Sequence, residues 1–227
     1  AHHMALTEVP APPFGEAARA ALFQSLLEDA GADSVWIDSE GNVLAHRRGT
    51  VGDRTVALAA HLDTVFPEGT DVTVHTRGDT LYAPGIGDDS RGLAEVLTVL
   101  RTSHALDVRT QDDLLFIGTV GEEGVGNLRG VRQLFGSTGP GIDAWIAIDG
   151  GRPGNMVFQA LGSLRYRVSI QGPGGHSWGD FGMVNPHHAL GSAIDGFVKR
   201  ADTFSKTEPR VSFSVGQIGR ASCRGKS

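Results

Sequence analysis

The chain has 227 residues, of which 40% are hydrophobic and 20% charged, proportions that suit a globular protein with a sizeable core. The formal net charge of −6, with Lys and Arg scattered along the chain, argues against a nucleic-acid partner. The single cysteine, Cys223, leaves no internal disulfide and no cysteine-based zinc site. No segment is long and apolar enough to span a membrane and no secretory signal is visible, so we expect a cytoplasmic protein without a membrane partner.

The first two thirds of the chain alternate between helical and buried-strand patterns. Residues 1–4 (AHHM) look like an expression-tag remnant and are left out of the fold prediction. In chain order, the periodicity then predicts a helix over 16–30, strands over 34–38, 42–46 and 55–60, a helix over 90–100, a strand over 114–120, a helix over 128–135 and a strand over 144–148. Buried strands that alternate with helices indicate an α/β fold, in which helices flank a mixed sheet.

The pattern changes near Gly162. Strands that alternate apolar and polar residues are predicted over 164–170 and 210–218, on either side of a helix over 188–198. This β–α–β piece suits the opening part of a smaller α+β domain. The predicted organisation is an incomplete first domain at 5–161, the first part of a second domain at 162–218, and a tail at 219–227 that is disordered or vector-derived.

Acidic and histidine residues follow three of the predicted buried strands. The strand ends carry HLD at 61–63, GEEG at 121–124 and Asp149, and the loop before the helix at 90–100 carries Asp88 and Asp89. Ligands of α/β sheets gather outside the carboxyl ends of the strands. We therefore expect these side chains to form a metal cage at one edge of the sheet.

The donor types also suit a metal. Zinc accepts imidazole nitrogen and carboxylate oxygen, and a catalytic zinc keeps one position open for water. His61 and Asp63 are two residues apart, so on a strand they face the same side and Asp63 could orient the imidazole. Adjacent Glu122 and Glu123 allow one to bind metal while the other acts as a general base. Helix capping is the alternative role at 88–89, and we expect Asp89 to be the structural residue of that pair.

Five motifs, in this order, resemble the M20 metallopeptidase family. They are HLDTV at 61–65, PGIGDD at 84–89, GEEG at 121–124, Asp149, and GGHS at 174–177. The similarity covers residues 16–218, and the ordered set is far more specific than any single motif. Asp149, where related branches have glutamate, looks more like the glutamate-carboxypeptidase, dipeptidase and tripeptidase branches.

The resemblance implies a role for each candidate residue. The metal ligands would be His61 and Asp149, one on each metal, Asp88 as the bridge between them, and Glu123. Three further residues would act in catalysis: Glu122 as general base and later acid, Asp63 as the support of His61, and His176, which would reach a neighbouring subunit's active site and stabilise the oxyanion.

The resemblance also implies the activity. Two divalent metal ions, zinc first with cobalt or manganese as alternatives, would activate a water that cleaves amide bonds of short peptides or N-acyl amino acids. The enzyme would be an exopeptidase of the carboxypeptidase or dipeptidase type. The domain that begins near Gly162 would be the family's lid, through which a homodimer forms.

One family feature has no match in this sequence. Family members are longer, return to the catalytic domain after the lid, and contribute a further metal-binding histidine there. His187 and His188 lie in the predicted lid helix and do not correspond to it. We therefore expect a chain truncated at its C-terminus that binds one metal weakly or lacks activity.

Two other interpretations stay open at this point. An M28-type aminopeptidase shares the sheet and a similar cage, but the GGHS motif at 174–177 and the β–α–β piece argue against it. A non-catalytic fragment that serves only as a binding or structural domain would keep the fold without the chemistry.

Overall fold

A five-stranded mixed sheet organises the first part of the chain. The computed structural model describes residues 1–150, 154–216 and 218–219, and the chain divides into two units, Ala1–Met156 and Val157–Ser227. The elements of the first unit are α1 (His2–Thr7), α2 (Ala17–Asp29), β1 (Ser34–Ile37), β2 (Val43–Arg47), β3 (Thr55–His61), β4 (His75–Arg77), β5 (Thr80–Tyr82), α3 (Ser90–Ala105), β6 (Asp113–Thr119), α4 (Arg129–Leu134) and β7 (Ala144–Ala147).

The strand order is β1-β2-β6-β3-β7. The pairs β1/β2 and β2/β6 are antiparallel, whereas β3 is parallel to both β6 and β7. In the parallel part, His61 lies opposite Thr119 and Ala59 opposite Ala147. The carboxyl ends of β3, β6 and β7 therefore meet at one edge of the sheet, which is where the candidate ligands follow.

Side chains alternate between the two faces of the sheet, and each face has its own core. One core is built on the α1, α2 and α3 side and includes the fully buried Phe23, Leu93 and Phe116. The other contains Leu115 and Ile117 of β6, which pack with Leu134 of α4. Because Phe116 and its two neighbours in β6 face opposite sides, β6 is covered on both faces, as a central strand of an α/β sheet requires. The predicted mixed α/β sheet flanked by helices is confirmed.

Local sequence explains where the long helices begin and which faces they bury. Helix α3 begins at Ser90 because the Asp89 carboxylate accepts a hydrogen bond from the Gly92 amide at 3.0 Å and so caps the helix. Its stripe of Leu93, Val96, Leu97 and Leu100 is buried, as the helical spacing predicts. Within the described ranges, no helix has both the length and the apolarity needed to cross a membrane.

Two features of the first unit were not predicted. Residues 1–4 were left out of the fold prediction, but residues 2–4 belong to α1 (His2–Thr7), which packs on α3 and in which Leu6 is completely buried. The imidazole of His3 contacts the Ile86 carbonyl oxygen at 2.6 Å. The antiparallel hairpin of β4 and β5 was also missed, because its three-residue strands are short, polar and mostly exposed.

The second unit is helical where it is regular. Its helix α5 (Pro186–Phe204) is longer than the predicted 188–198, because the Asn185 side chain caps it and Pro186 occupies the first turn. The strands predicted over 164–170 and 210–218 are wrong for the described residues, which are mainly exposed and form no strand. Alternation predicts a strand only where a neighbouring strand completes the hydrogen bonds. Gln217 and the tail from 220 onward lie outside the described residues, and the predicted boundary at 161/162 stays a prediction.

Candidate metal centre

The candidate ligands converge at the carboxyl edge of the parallel strands. His61 ends β3, Glu122 and Glu123 lie in the loop after β6, and Asp149 follows β7. The pairing of β7 with β3 continues to the Ile148 amide, which donates to the Ala59 carbonyl oxygen at 2.7 Å. The sheet therefore fixes the start of each of these loops.

His61 is the centre of the group. Its side chain is buried, with 4% exposed, and its Nε2 lies 2.8 Å from Asp88 Oδ1. Its Nδ1 lies 2.8 Å from the Asp63 carbonyl oxygen, which can only accept, so Nδ1 carries a proton. This hydrogen bond directs Nε2 toward the exposed carboxylates, which is the usual arrangement of a metal-binding histidine.

Asp63 supports two loops at once. Its fully buried carboxylate accepts hydrogen bonds from the Glu122 amide at 3.0 Å and the Glu123 amide at 2.8 Å. Its Oδ1 lies 3.7 Å from His61 Nδ1, too far for a hydrogen bond, so the ring is held by the Asp63 backbone carbonyl and by the charge of the carboxylate. The expected orienting role therefore acts mainly through the backbone.

The carboxylate of Asp63 is held in its ionised form. Burial alone would raise the pKa of Asp63, but the interaction with His61 and the two backbone amides outweigh it and lower the pKa. A permanently ionised Asp63 keeps both glutamate amides in place at neutral pH.

Asp89 has the structural role expected of it. Its carboxylate caps α3 through the Gly92 amide and accepts from the His61 amide at 3.0 Å, so it ties the end of β3 to the start of α3. Burial raises the pKa of Asp89 to about 7 despite the opposing charge of His61. The Asp88–Asp89 peptide bond is cis.

Two sets of side chains could each hold a metal ion. One set is His61, Glu122 and Glu123, the other is His61, Asp88 and Asp149, and within each set the ligand atoms lie within 4.8 Å of one another. One imidazole nitrogen with two carboxylate oxygens is a donor set that zinc, cobalt or manganese accepts. All the predicted ligands therefore lie together, and their donor chemistry fits a divalent cation.

The electrostatics of the cluster also favour a cation. Burial raises the pKa of Glu122, and the charges of Asp149, Asp63 and Asp88 raise it further. The pKa of Glu123 is raised by burial and then by Asp88 and Glu122. Carboxylates that raise one another's pKa in this way are stabilised by a bound dication, which replaces mutual repulsion with attraction.

His61 responds to the same concentration of negative charge. Burial alone would lower the pKa of His61, but the interaction with Asp63 and the charges of Asp89 and Asp88 raise it to about 10. A dication at this place would supply the positive charge that the protonated imidazole otherwise supplies.

Comparison with known proteins places the chain in a family. Residues 57–212 match the sequence model described as peptidase family M20/M25/M40. The chain belongs to this family. The resemblance deduced from the five motifs is therefore confirmed, and the match extends from the first unit of this M20 chain into the second. No curated protein matches the chain.

Several solved structures have a fold similar to that of this chain. The M20 chain is similar to a tripeptidase from Staphylococcus aureus, with 23% identity and a TM-score of 0.54 over 66% of this chain and 42% of that one. The aminopeptidase PepT from Bacillus cereus matches with 24% identity and a TM-score of 0.53 over 65% and 41% of the two chains. An aminopeptidase from the archaeon Desulfurococcus kamchatkensis matches with 18% identity and a TM-score of 0.54 over 68% and 64%. The M20 chain thus spans about two fifths of the two bacterial enzymes.

Several supporting residues of the site were not predicted. Asn42 is completely buried, its Oδ1 accepts from the Val120 amide at 3.0 Å, and its Nδ2 donates to the Gly130 carbonyl at 3.1 Å. These contacts fix the end of β6, after which the loop with Glu122 and Glu123 (the glutamate loop) begins. A polar residue inside an apolar strand pattern was the available signal, but periodicity alone does not show what it contacts.

His176, the remaining predicted site residue, lies in the second unit of the M20 chain. It is exposed, and its Nδ1 accepts hydrogen bonds from the Trp178 and Gly179 amides at 3.2 and 3.3 Å. Its own amide donates to Asp180 Oδ2 at 2.6 Å. Because Nδ1 is an acceptor here, Nε2 carries the proton in the neutral ring and is the available donor. Its role in oxyanion stabilisation stays a prediction.

Proposed function

We propose that this M20 chain is the catalytic part of a metallo-exopeptidase that hydrolyses the terminal amide bond of short peptides. The observation that carries the proposal is that His61 forms one group with Glu122 and Glu123 and another with Asp88 and Asp149, the ligand atoms of each group lying within 4.8 Å of one another. The similar structures are those of a tripeptidase and aminopeptidases, which supports a peptide substrate. An N-acyl amino acid offers the same amide bond and is the alternative substrate.

Four residues would hold the two metal ions. His61 and Asp149 would each bind one ion, Asp88 would bridge them, and Glu123 would complete the set. When bound, the ions would lower the pKa of water and polarise the scissile carbonyl. Zinc is the first expectation, while cobalt and manganese fit the same donors.

Glu122 would act as the general base and then as the general acid. Its pKa is raised by burial and by its acidic neighbours, which brings a carboxylate closer to the neutral range where a general base is effective. It would take a proton from the attacking water and pass it to the leaving amine. Asp63 would hold the Glu122 amide and the His61 ring in place. His176 would donate to the oxyanion from a partner subunit in the predicted homodimer.

Replacing Glu122 by Gln tests the assignment of the base. The Glu122→Gln variant should retain the zinc content of the wild-type chain and lose hydrolysis of a tripeptide by about 10²–10⁴-fold, the usual contribution of a general base. Zinc is measured by elemental analysis and turnover by release of free amine.

The matched controls separate the base from the metal ligands. His61→Ala should lose zinc and turnover together, whereas His46→Ala, whose half-buried imidazole pairs with Asp113 away from the ligands, should lose neither. Retained turnover in Glu122→Gln would remove Glu122 from the role of base. Zinc binding without any hydrolysis by the wild-type chain would favour the non-catalytic fragment over the enzyme.

A further inference from the structure

Two buried charged residues lie at the N-terminal end of α2 with no role in the proposed chemistry. Glu16 has 3% of its surface exposed and Arg19 has none. Charged side chains are rarely so deeply buried unless their partners compensate the loss of water. The partners of these two residues belong to two of the loops that carry the candidate metal ligands.

Arg19 holds the loop that follows β3. Its Nη1 donates to the Leu62 carbonyl oxygen at 2.8 Å, and Leu62 lies between His61 and Asp63. Its Nε and Nη2 donate to the Val9 carbonyl oxygen at 2.9 and 2.6 Å. The guanidinium therefore fixes the backbone on which the imidazole ligand and its supporting carboxylate are mounted.

Glu16 holds the loop that follows β6. Its Oε1 accepts from the Gly121 amide at 3.2 Å, one residue before Glu122. The same carboxylate forms a two-point ion pair with Arg129, with Nη1–Oε1 at 3.0 Å and Nη2–Oε2 at 2.9 Å. Arg129 also pairs with Glu40 through Nε at 3.0 Å, so the carboxylate of Glu16 is itself held in place.

Helix formation does not explain either residue. Glu16 occupies the N-cap position of α2, but its side chain makes no capping hydrogen bond to the helix. An arginine in the first turn is unfavourable for the helix dipole, which favours negative charge at that end. Both side chains extend away from their own helix, to loops that leave adjacent parallel strands of the sheet.

We infer that the first turn of α2, through Glu16 and Arg19, is a positioning element that sets the separation of the His61–Asp63 and Glu122–Glu123 segments and thereby the affinity for metal. The inference rests on the proposed function, because it takes these segments to be metal-binding. The contacts of Arg19 with Leu62 and of Glu16 with Gly121 come from one end of one helix, so both loops are held at a fixed distance from each other. Loss of either contact would let one loop move relative to the other.

Zinc affinity of an Arg19 variant tests the inference. Arg19→Met keeps an unbranched side chain of similar length and removes the hydrogen bonds to Leu62 and Val9. The Kd for zinc is measured by competition with a chromophoric chelator, at a temperature where circular dichroism shows each variant to be folded. We expect the Kd to rise by about 10–100-fold, the usual effect of residues that orient metal ligands.

Arg47→Met is the matched control. Arg47 is also a buried arginine whose guanidinium donates to backbone carbonyls, those of Ser103 and Val108, at 3.0 and 2.9 Å. It pairs with Leu114 near the start of β6, at the end of the strand opposite the candidate ligands. The Arg47→Met variant should lower the free energy of unfolding about as much as Arg19→Met does, and it should leave the Kd for zinc unchanged. Equal zinc affinity in Arg19→Met and Arg47→Met would overturn the inference while leaving the proposed metal site intact.

Glu16→Met decides the matter where Arg19→Met does not fold. It keeps an unbranched side chain of similar length and removes both the acceptor for the Gly121 amide and the charge that pairs with Arg129. A Kd for zinc raised about tenfold supports the inference, and an unchanged Kd overturns it. A wild-type chain that binds no zinc would contradict the proposed function itself, a result distinct from both of these.

Discussion

His61 shows at the scale of one residue how the fold creates the chemistry. The imidazole is buried at the end of β3, one nitrogen is bonded to the Asp63 carbonyl, and the other contacts Asp88. The residue types at the strand ends predicted that these side chains would lie together, because parallel strands bring their carboxyl ends to one edge. The sequence did not predict that the Asp63 carboxylate would bind the glutamate amides, since spacing places a residue on an element but does not define the path of a loop.

The pKa of His61 predicts how the stability of the metal-free chain depends on pH. The pKa is about 10 in the folded chain and 6.5 in its ordinary state, so the stabilisation is fully present below pH 6.5 and is lost as pH rises through the folded value. The free energy of unfolding by urea in EDTA should therefore fall between pH 6.5 and 10.

Comparison with His61→Ala isolates the contribution of this residue. The variant should show a flatter profile over the same range, because it lacks the group that retains a proton only in the folded state. The elevated pKa of Asp89, about 7, acts in the same direction at the lower end of the range and remains in the variant. Stability of the wild-type chain that rises with pH over this window would contradict the assignment.

At the scale of elements, the glutamate loop depends on a glycine. Gly121 has a φ of +63°, and a Cβ there would collide with the guanidinium of Arg129. Gly121→Ala should therefore destabilise the fold by about 1–3 kcal/mol from backbone strain and weaken zinc binding as well. Urea unfolding measures the first effect and chelator competition the second.

Gly78 provides a closely matched control for that substitution. It has a φ of +61°, but no atom lies within 4 Å of the position that its Cβ would occupy. Gly78→Ala should show the cost of the backbone conformation without the collision and without a change in zinc affinity. Equal losses of stability and equal zinc affinities in the two variants would mean that the close approach of Arg129 to Gly121 does not position the loop.

The elements also show where sequence patterns are informative. Buried strands and amphipathic helices of the first unit were predicted well, because burial on defined faces produces a regular spacing of apolar residues in the sequence. The same argument failed at 164–170 and 210–218, where alternation is present but the described residues form no strand. It also missed α1, whose histidines look like a tag although Leu6 belongs to the core.

At the scale of the whole molecule, all the candidate metal ligands belong to one unit. His61, Asp88, Glu122, Glu123 and Asp149 lie within Ala1–Met156, together with both hydrophobic cores. The family match identifies the M20 framework, and the geometry identifies a ligand set that contains a single histidine among the described residues. We therefore expect metal binding to be a property of the first unit, while His176 and the predicted dimer depend on the second.

Metal content by elemental analysis after mild purification tests the central claim most directly. The wild-type chain should contain at least one divalent ion per chain, because His61 Nε2 and the neighbouring carboxylates offer the donors for it, and the His61→Ala variant should lose it. Metal content near zero in the wild-type chain, or equal content in both proteins, would contradict the assignment of this cluster as a metal centre.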